Sequence, residues 1–159
     1  MMCRSLAFIL FFTFAWTVEG KAAGLLDGSV FVGMIGPAEN PDLSDSLSFD
    51  EGHFWSDICT RCGFVPGPYR AEKTEDGIVF SGRLESESRG RFDYEGTVSE
   101  DGTIVVSVLW QRRRWYWISK REILFLGARS AHKQIASLTK IREQMQTLDP
   151  EGNPLCARF

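Results

Sequence analysis

The sequence predicts an all-β fold: an eight-stranded antiparallel up-and-down β-barrel followed by one C-terminal α-helix. Three observations predict it. The first is a beat of turns. Asp27-Gly28, Glu51-Gly52, Asp76-Gly77 and Asp101-Gly102 each set an acidic residue before glycine, and the glycines lie 24, 25 and 25 residues apart. Such pairs between apolar runs mark tight hairpins, because glycine accepts the positive φ that these turns need. A period of about 25 residues holds two strands with their connections, so each period reads as a hairpin and the chain as a meander. The second is alternation. Ile78, Phe80, Gly82 and Leu84 interleave with Val79, Ser81, Arg83 and Glu85, and Phe92, Tyr94, Gly96 and Val98 with Asp93, Glu95 and Thr97. That is the pattern of an antiparallel sheet with one buried face. The third is a stripe near the end, where Ile135, Leu138, Ile141, Met145 and Leu148 recur at helical spacing.

Taken in order, residues 1–23 read as a secretory signal peptide. Arg4 supplies the positive start, and Ser5 to Trp16 is an apolar core too short to span a membrane. Cleavage is expected after Gly20, Ala22 or Ala23, which makes the protein secreted or periplasmic with no stable membrane span. Residues 24–129 form the barrel domain. Its strands are expected at 29–36, 46–50, 53–58, 68–73, 78–86, 91–98, 103–111 and 115–127. Gly36–Asp45 and Thr60–Pro68 are loops rich in turn residues, and Gln111–Arg114 is a short basic turn. Closing eight twisted strands on themselves removes the sheet's open edges. Residues 130–149 form the amphipathic helix, capped by Ser130 and packed on the barrel, and 150–159 form a tail.

Charge excludes one class of partner. Losing Arg4, Lys21 and Glu19 from the chain's 18 basic and 21 acidic residues leaves 16 against 20. This mild acidity argues against nucleic acid. Cysteine usage is the next constraint. Cys59-Thr-Arg-Cys62 is followed by Gly63, Pro66, Gly67 and Pro68, where no helix is expected to lower a thiol pKa for redox work. Haem attachment needs histidine where Gly63 stands, and zinc needs further ligands. The expected role is one structural disulfide drawn from Cys59, Cys62 and Cys156, with one thiol left over and no metal or cofactor. Neither His53 nor His132 belongs to a catalytic triad. Glu85, Glu87, Asp93 and Glu95 are expected in surface ion pairs with nearby arginines. No catalytic residue is assigned, and the chain is not expected to be an enzyme.

The meander, with its leader, its single helix and the segments FDEGHF (49–54), CGFVPGPY (62–69) and Trp110…Trp115-Tyr-Trp117…Arg121-Glu122, resembles the lipocalin-like (calycin) barrels and small secreted bacterial barrel proteins. Lipocalins carry Gly-x-Trp on the first strand. Here Gly33-Met34-Ile35 lacks the tryptophan, so the stacking of a late arginine on it does not carry over. The resemblance implies a binding module for a small apolar or amphipathic ligand, held by inward aromatics for which Phe31, Phe80, Trp110 and Trp117 are the candidates. A second reading is a protein-binding barrel, such as an inhibitor of a secreted hydrolase, working through its loops. A third is a cofactor-free barrel isomerase or cyclase. Arg112, Arg113 and Arg114 beside tryptophans are a further candidate, either for gripping a phosphate, an anionic glycan or a membrane surface, or as a solvated hairpin tip whose guanidiniums lie on neighbouring indoles. The barrel interior discriminates among the three: an open apolar pocket favours the first, a filled core the second, and buried polar groups converging on a cavity the third.

Overall fold

A computed structural model describes residues 24–158. Among them, eight strands form a closed antiparallel barrel in sequential order: β1 Ser29–Gly36, β2 Leu43–Asp50, β3 His53–Ser56, β4 Gly67–Thr74, β5 Gly77–Ser86, β6 Gly90–Val98, β7 Thr103–Arg114 and β8 Trp117–Arg129. β8 closes onto β1 from Gly36↔Leu124 to Phe31↔Arg129. The predicted leader lies outside the described residues. Three of the four turn glycines join strands as their spacing predicts: Gly52, Gly77 and Gly102 have φ of 70°, 130° and 85° and join β2–β3, β4–β5 and β6–β7 at one end of the barrel, whereas Gly28 (φ 79°) leads into β1 and joins no two described strands. The β1–β2 loop, the β3–β4 crossing, the β5–β6 turn and the β7–β8 hairpin lie at the other.

Alternation places one large residue after another in the lumen. Phe80, Gly96, Val106, Phe125 and Ile35 are successive register partners across five strands, and all but the glycine are buried. Phe31, Leu47, Phe49, Phe54, Leu84, Phe92, Tyr94, Ile104 and Trp110 complete one continuous core. The aromatic rings interlock edge to face, with Phe49 meeting Phe31, Tyr69 and Phe80 at centroid distances of 5.8, 5.0 and 5.2 Å. At the glycine-turn end Leu26 is fully buried, its N–H donating to Tyr69 Oη (3.0 Å), while Tyr69 donates to Asp27 Oδ1 (2.8 Å).

β2 begins at Leu43 and β4 at Gly67, inside the two expected loops, and three further local expectations change. First, a short helix, α1 (Asp57–Arg61), carries Cys59 where none was expected. Its glycines and prolines begin only after it ends. Ser56 caps it by accepting from Cys59 N, and Asp45, distant in sequence, accepts from Ile58 N at 3.0 Å. Second, the C-terminal helix α2 is Leu138–Met145, with Ser137 as its cap instead of Ser130. Ser130 Oγ accepts from Lys133 N in a turn, and Lys133 Nζ donates to Ser46 Oγ and Asp57 Oδ2, holding 130–137 against the barrel in non-helical form. Ile135, Leu138 and Ile141 nevertheless cover Trp55, which β3 turns outward as it turns Phe54 inward. Third, Arg112–Arg114 are not a turn. They extend β7 and pair with Ser119, Ile118 and Trp117, so the chain reverses at Trp115-Tyr116.

Cys62 and Cys156 form a disulfide, and Cys59 is a buried free thiol. Arg89, in the β5–β6 turn, donates to the carbonyls of Cys156 (2.7 Å) and Pro150 (3.3 Å) and pairs with Glu151 (2.9 Å). The C-terminal 3-10 turn Pro154–Arg158 is thereby held over the hairpin end of the barrel.

Candidate functional site

Two regions carry unusual chemistry: a buried polar cluster beneath α1 and an exposed aromatic ribbon at the barrel rim. The cluster begins with Asp45 on β2. Its carboxylate accepts from Ser56 Oγ (2.6 Å) and Ile58 N (3.0 Å), Ser56 Oγ accepts from Cys59 N (3.0 Å), and Cys59 Sγ lies 3.3 Å from Tyr94 Oη. Burial pushes the Asp45 carboxyl above its ordinary value, against the lowering effect of hydrogen bonds from Ser56, Ile58 N and Ser46 N. Burial, with Asp45 nearby, pushes the Cys59 thiol up to about 12 and raises the Tyr94 phenol well above its usual range. A thiol in that setting is protonated and inert at neutral pH. The groups are packed among core side chains and join α1 to the barrel.

The consequence for stability is specific. The folded state holds the Asp45 proton more tightly than the unfolded chain, so Asp45 favours folding increasingly as pH falls through its raised pKa toward the ordinary value of 3.8. Asp45→Asn keeps an acceptor for Ile58 N and removes the buried charge. Its melting temperature relative to the parent is expected to be most favourable at neutral pH and to decline as the pH is lowered. Asp45→Ala strips Ile58 N and Ser56 Oγ of their acceptor and is expected to cost about 1–3 kcal/mol at neutral pH, and more as the pH falls and the parent alone gains stability. A parent-to-Asn difference that is flat with pH in thermal melts would remove Asp45 as the titrating group.

The second region is the part of β7–β8 that outruns the barrel. β6 stops pairing with β7 at Arg91↔Gln111, and β1 stops pairing with β8 at Gly36↔Leu124. Beyond these points Arg112↔Ser119, Arg113↔Ile118 and Arg114↔Trp117 pair only with each other, as a projecting two-stranded ribbon. Its apolar residues are in water: Trp115 is 95% exposed, Tyr116 75%, Ile118 56% and Trp117 48%. The rings hold one another, with Tyr116 edge-on to Trp115 (5.8 Å) and Trp117 (4.6 Å). Beside the ribbon runs an open trough of about 930 Å³, lined by charged residues including Glu85, Glu87, Arg91, Arg113 and Glu151.

The four candidate ligand-binding aromatics therefore separate. Phe31 and Phe80 are buried in the core, and Trp110 is 8% exposed with Nε1 donating to the Arg89 carbonyl (3.1 Å). Trp117 stands outside on the ribbon with Arg112, Arg113 and Arg114. The Arg129 guanidinium lies over the Phe31 ring, 5.2 Å from its centroid. Arg83 pairs with Asp93 and Glu85, and Arg91 with Asp93, as solvent-facing ion pairs. Among the described residues no three His, Cys, Asp or Glu side chains are grouped to hold a metal ion, and no helix is long and apolar enough to cross a membrane. Sequence reasoning missed the Asp45–Ser56 pair, whose members are eleven positions apart on different strands and carry no motif. No protein-family model matches this chain, and no curated protein or solved structure matches it.

Proposed function

We propose that this chain is a secreted, lipocalin-like barrel that works as a binding module through its rim, with the ribbon at residues 112–119 as the contacting element. One observation carries the reading: the lumen is filled by the chain's own aromatics, whereas four large apolar residues stand in water on one projection. Ligand pockets hold roughly 300–1,000 Å³. The apolar notch formed with Ile35, Pro37, Leu43 and Ile123 offers about 90 Å³. The larger trough beside the ribbon is open and mixes charged side chains with Val65, Ile118 and Pro150, so it offers no enclosed apolar site. Of the aromatic candidates, Trp117 keeps a binding role in this reading, while Phe31, Phe80 and Trp110 serve as core. The filled core favours a macromolecular partner over a carried small ligand. The Cys62–Cys156 disulfide suits an oxidising compartment and supports the secreted reading of residues 1–23.

The test compares the parent with Trp115→Ser/Trp117→Ser. The parent is expected to be retained on a mildly hydrophobic column and the variant to elute early, with equal melting temperatures because the ribbon lies outside the core. A fluorescent fatty acid is expected to show no saturable one-to-one site of micromolar affinity, about −8 kcal/mol. A one-to-one site that survives in the double variant would return binding to the lumen and end the rim reading.

A further inference from the structure

We propose that the surface met by the ribbon is an anionic lipid bilayer, with Trp115, Tyr116, Trp117 and Ile118 entering the headgroup layer and Arg113, Arg114 and Lys120 on the lipid phosphates. This inference rests on the rim reading and names its partner.

Charge is the first ground. Residues 111–121 hold five basic side chains (Arg112, Arg113, Arg114, Lys120, Arg121) and no acidic one. From residue 24 onward the rest of the chain has 11 basic against 20 acidic residues. A negative surface therefore repels the body of the protein and attracts the ribbon, which orients the molecule tip first. Residue chemistry is the second. Trp and Tyr are the side chains that lie at the water–lipid boundary, with an apolar ring and a polar N–H or O–H, and flanking Arg and Lys reach phosphate from there.

Shape is the third, and it separates a bilayer from a protein partner. The apolar residues occupy the convex apex of a two-residue turn. Three aromatic side chains bury about 750 Å² at most, below the roughly 800 Å² per partner that a stable protein interface removes. A bilayer needs no complementary surface and takes a convex tip by parting its headgroups. No described strand covers the ribbon's flanks, and its Arg and Lys side chains discourage strand addition along the open edges.

The experiment uses the chain from residue 24 onward, sedimented with vesicles of phosphatidylcholine alone or mixed with phosphatidylglycerol, with tryptophan emission read in parallel. The parent is expected to bind the mixed vesicles with a blue shift, to bind pure phosphatidylcholine at least roughly tenfold more weakly, and to be released by salt. Trp115→Ser/Trp117→Ser and Arg113→Glu/Arg114→Glu are each expected to lose roughly tenfold or more on mixed vesicles, with melting temperatures unchanged. Inorganic phosphate at equal ionic strength is expected to compete no better than chloride. Failure to bind mixed vesicles, equal binding to both vesicles, binding retained by either variant, or specific displacement by free phosphate would each overturn the inference. Absent vesicle binding with an intact hydrophobic-column difference leaves the rim reading standing and points to a protein partner. A fatty-acid site in the lumen removes the rim reading itself.

Discussion

Cys156→Ser is expected to destabilise the fold by about 3–5 kcal/mol in denaturant titration, the range for a native disulfide closing a loop of this size. The bridge spans 94 residues, from the α1 crossing to the C-terminal turn, and so removes much freedom from the unfolded chain. It also positions the tail that Arg89 holds through the Cys156 and Pro150 carbonyls. Both sulfurs are fully buried, so the variant leaves the Cys62 thiol in the core. Reductant in the parent should have the same effect as the substitution, which separates loss of the bond from a side-chain effect. The oxidised chain from residue 24 onward is expected to show no thiol reactive to iodoacetamide while folded and one after denaturation, because Cys59 is buried with its pKa pushed up to about 12. Three reactive thiols in the denatured, unreduced protein would eliminate the bridge, and a loss under about 1 kcal/mol would eliminate its structural role.

The features legible in the sequence were those encoded locally. Each acidic-glycine pair is a turn because its glycine takes a conformation that other residues resist, and the residues on either side alternate because β-strands do. The missed features depend on residues far apart in the chain. α1 is too short to persist on propensity alone, and Asp45, twelve positions before its start, helps to stabilise its first turn. Ser130 and Ser137 both make plausible caps; Lys133, tied to Ser46 and Asp57, decides between them. Alternation put Trp110 and Trp117 on one face, and register partners Arg114 and Trp117 do continue the face of Trp110 and Arg121. What alternation cannot encode is where the neighbouring strands stop. β6 and β1 end before Arg112 and Trp117, so the same face that is core at Trp110 is solvent at Trp117. The rim of a barrel is a property of its neighbours' lengths, and that made the candidate site hard to read.

The length of β3 also locates the barrel's weakest seam, and Phe54→Ala is expected to open it at a cost of about 3–5 kcal/mol. β3 pairs with β4 only at His53↔Pro68 and Phe54↔Gly67, and proline donates no hydrogen bond there. The seam keeps a backbone bond at its turn end, from Tyr69 N to the Gly52 carbonyl (3.2 Å), and otherwise depends on side chains. Outside, α2 covers Trp55. Inside, the fully buried Phe54 ring stacks with Phe49 (5.8 Å), meets Tyr94 edge-on (5.1 Å) and lies against Gly82 of β5, where a methyl group would overlap it. Gly82→Ala is accordingly expected to cost about 1–3 kcal/mol by overpacking. Phe54→Leu/Gly82→Ala should cost less than its two single changes together, since the smaller side chain leaves room for the methyl, with a coupling of about 0.5–3 kcal/mol. Hydrogen exchange should then show β3 and the β4 edge opening first in Phe54→Ala, ahead of β7 and β8, whose pairing runs unbroken from Thr103↔Ala128 to Arg114↔Trp117. If Gly82→Ala is neutral, or if the double change is strictly additive, the ring is not seated on that glycine. A Phe54→Ala variant that loses less than about 1 kcal/mol would mean that the lumen collapses around the gap, and the description of a rigid, self-filled barrel would have to be given up.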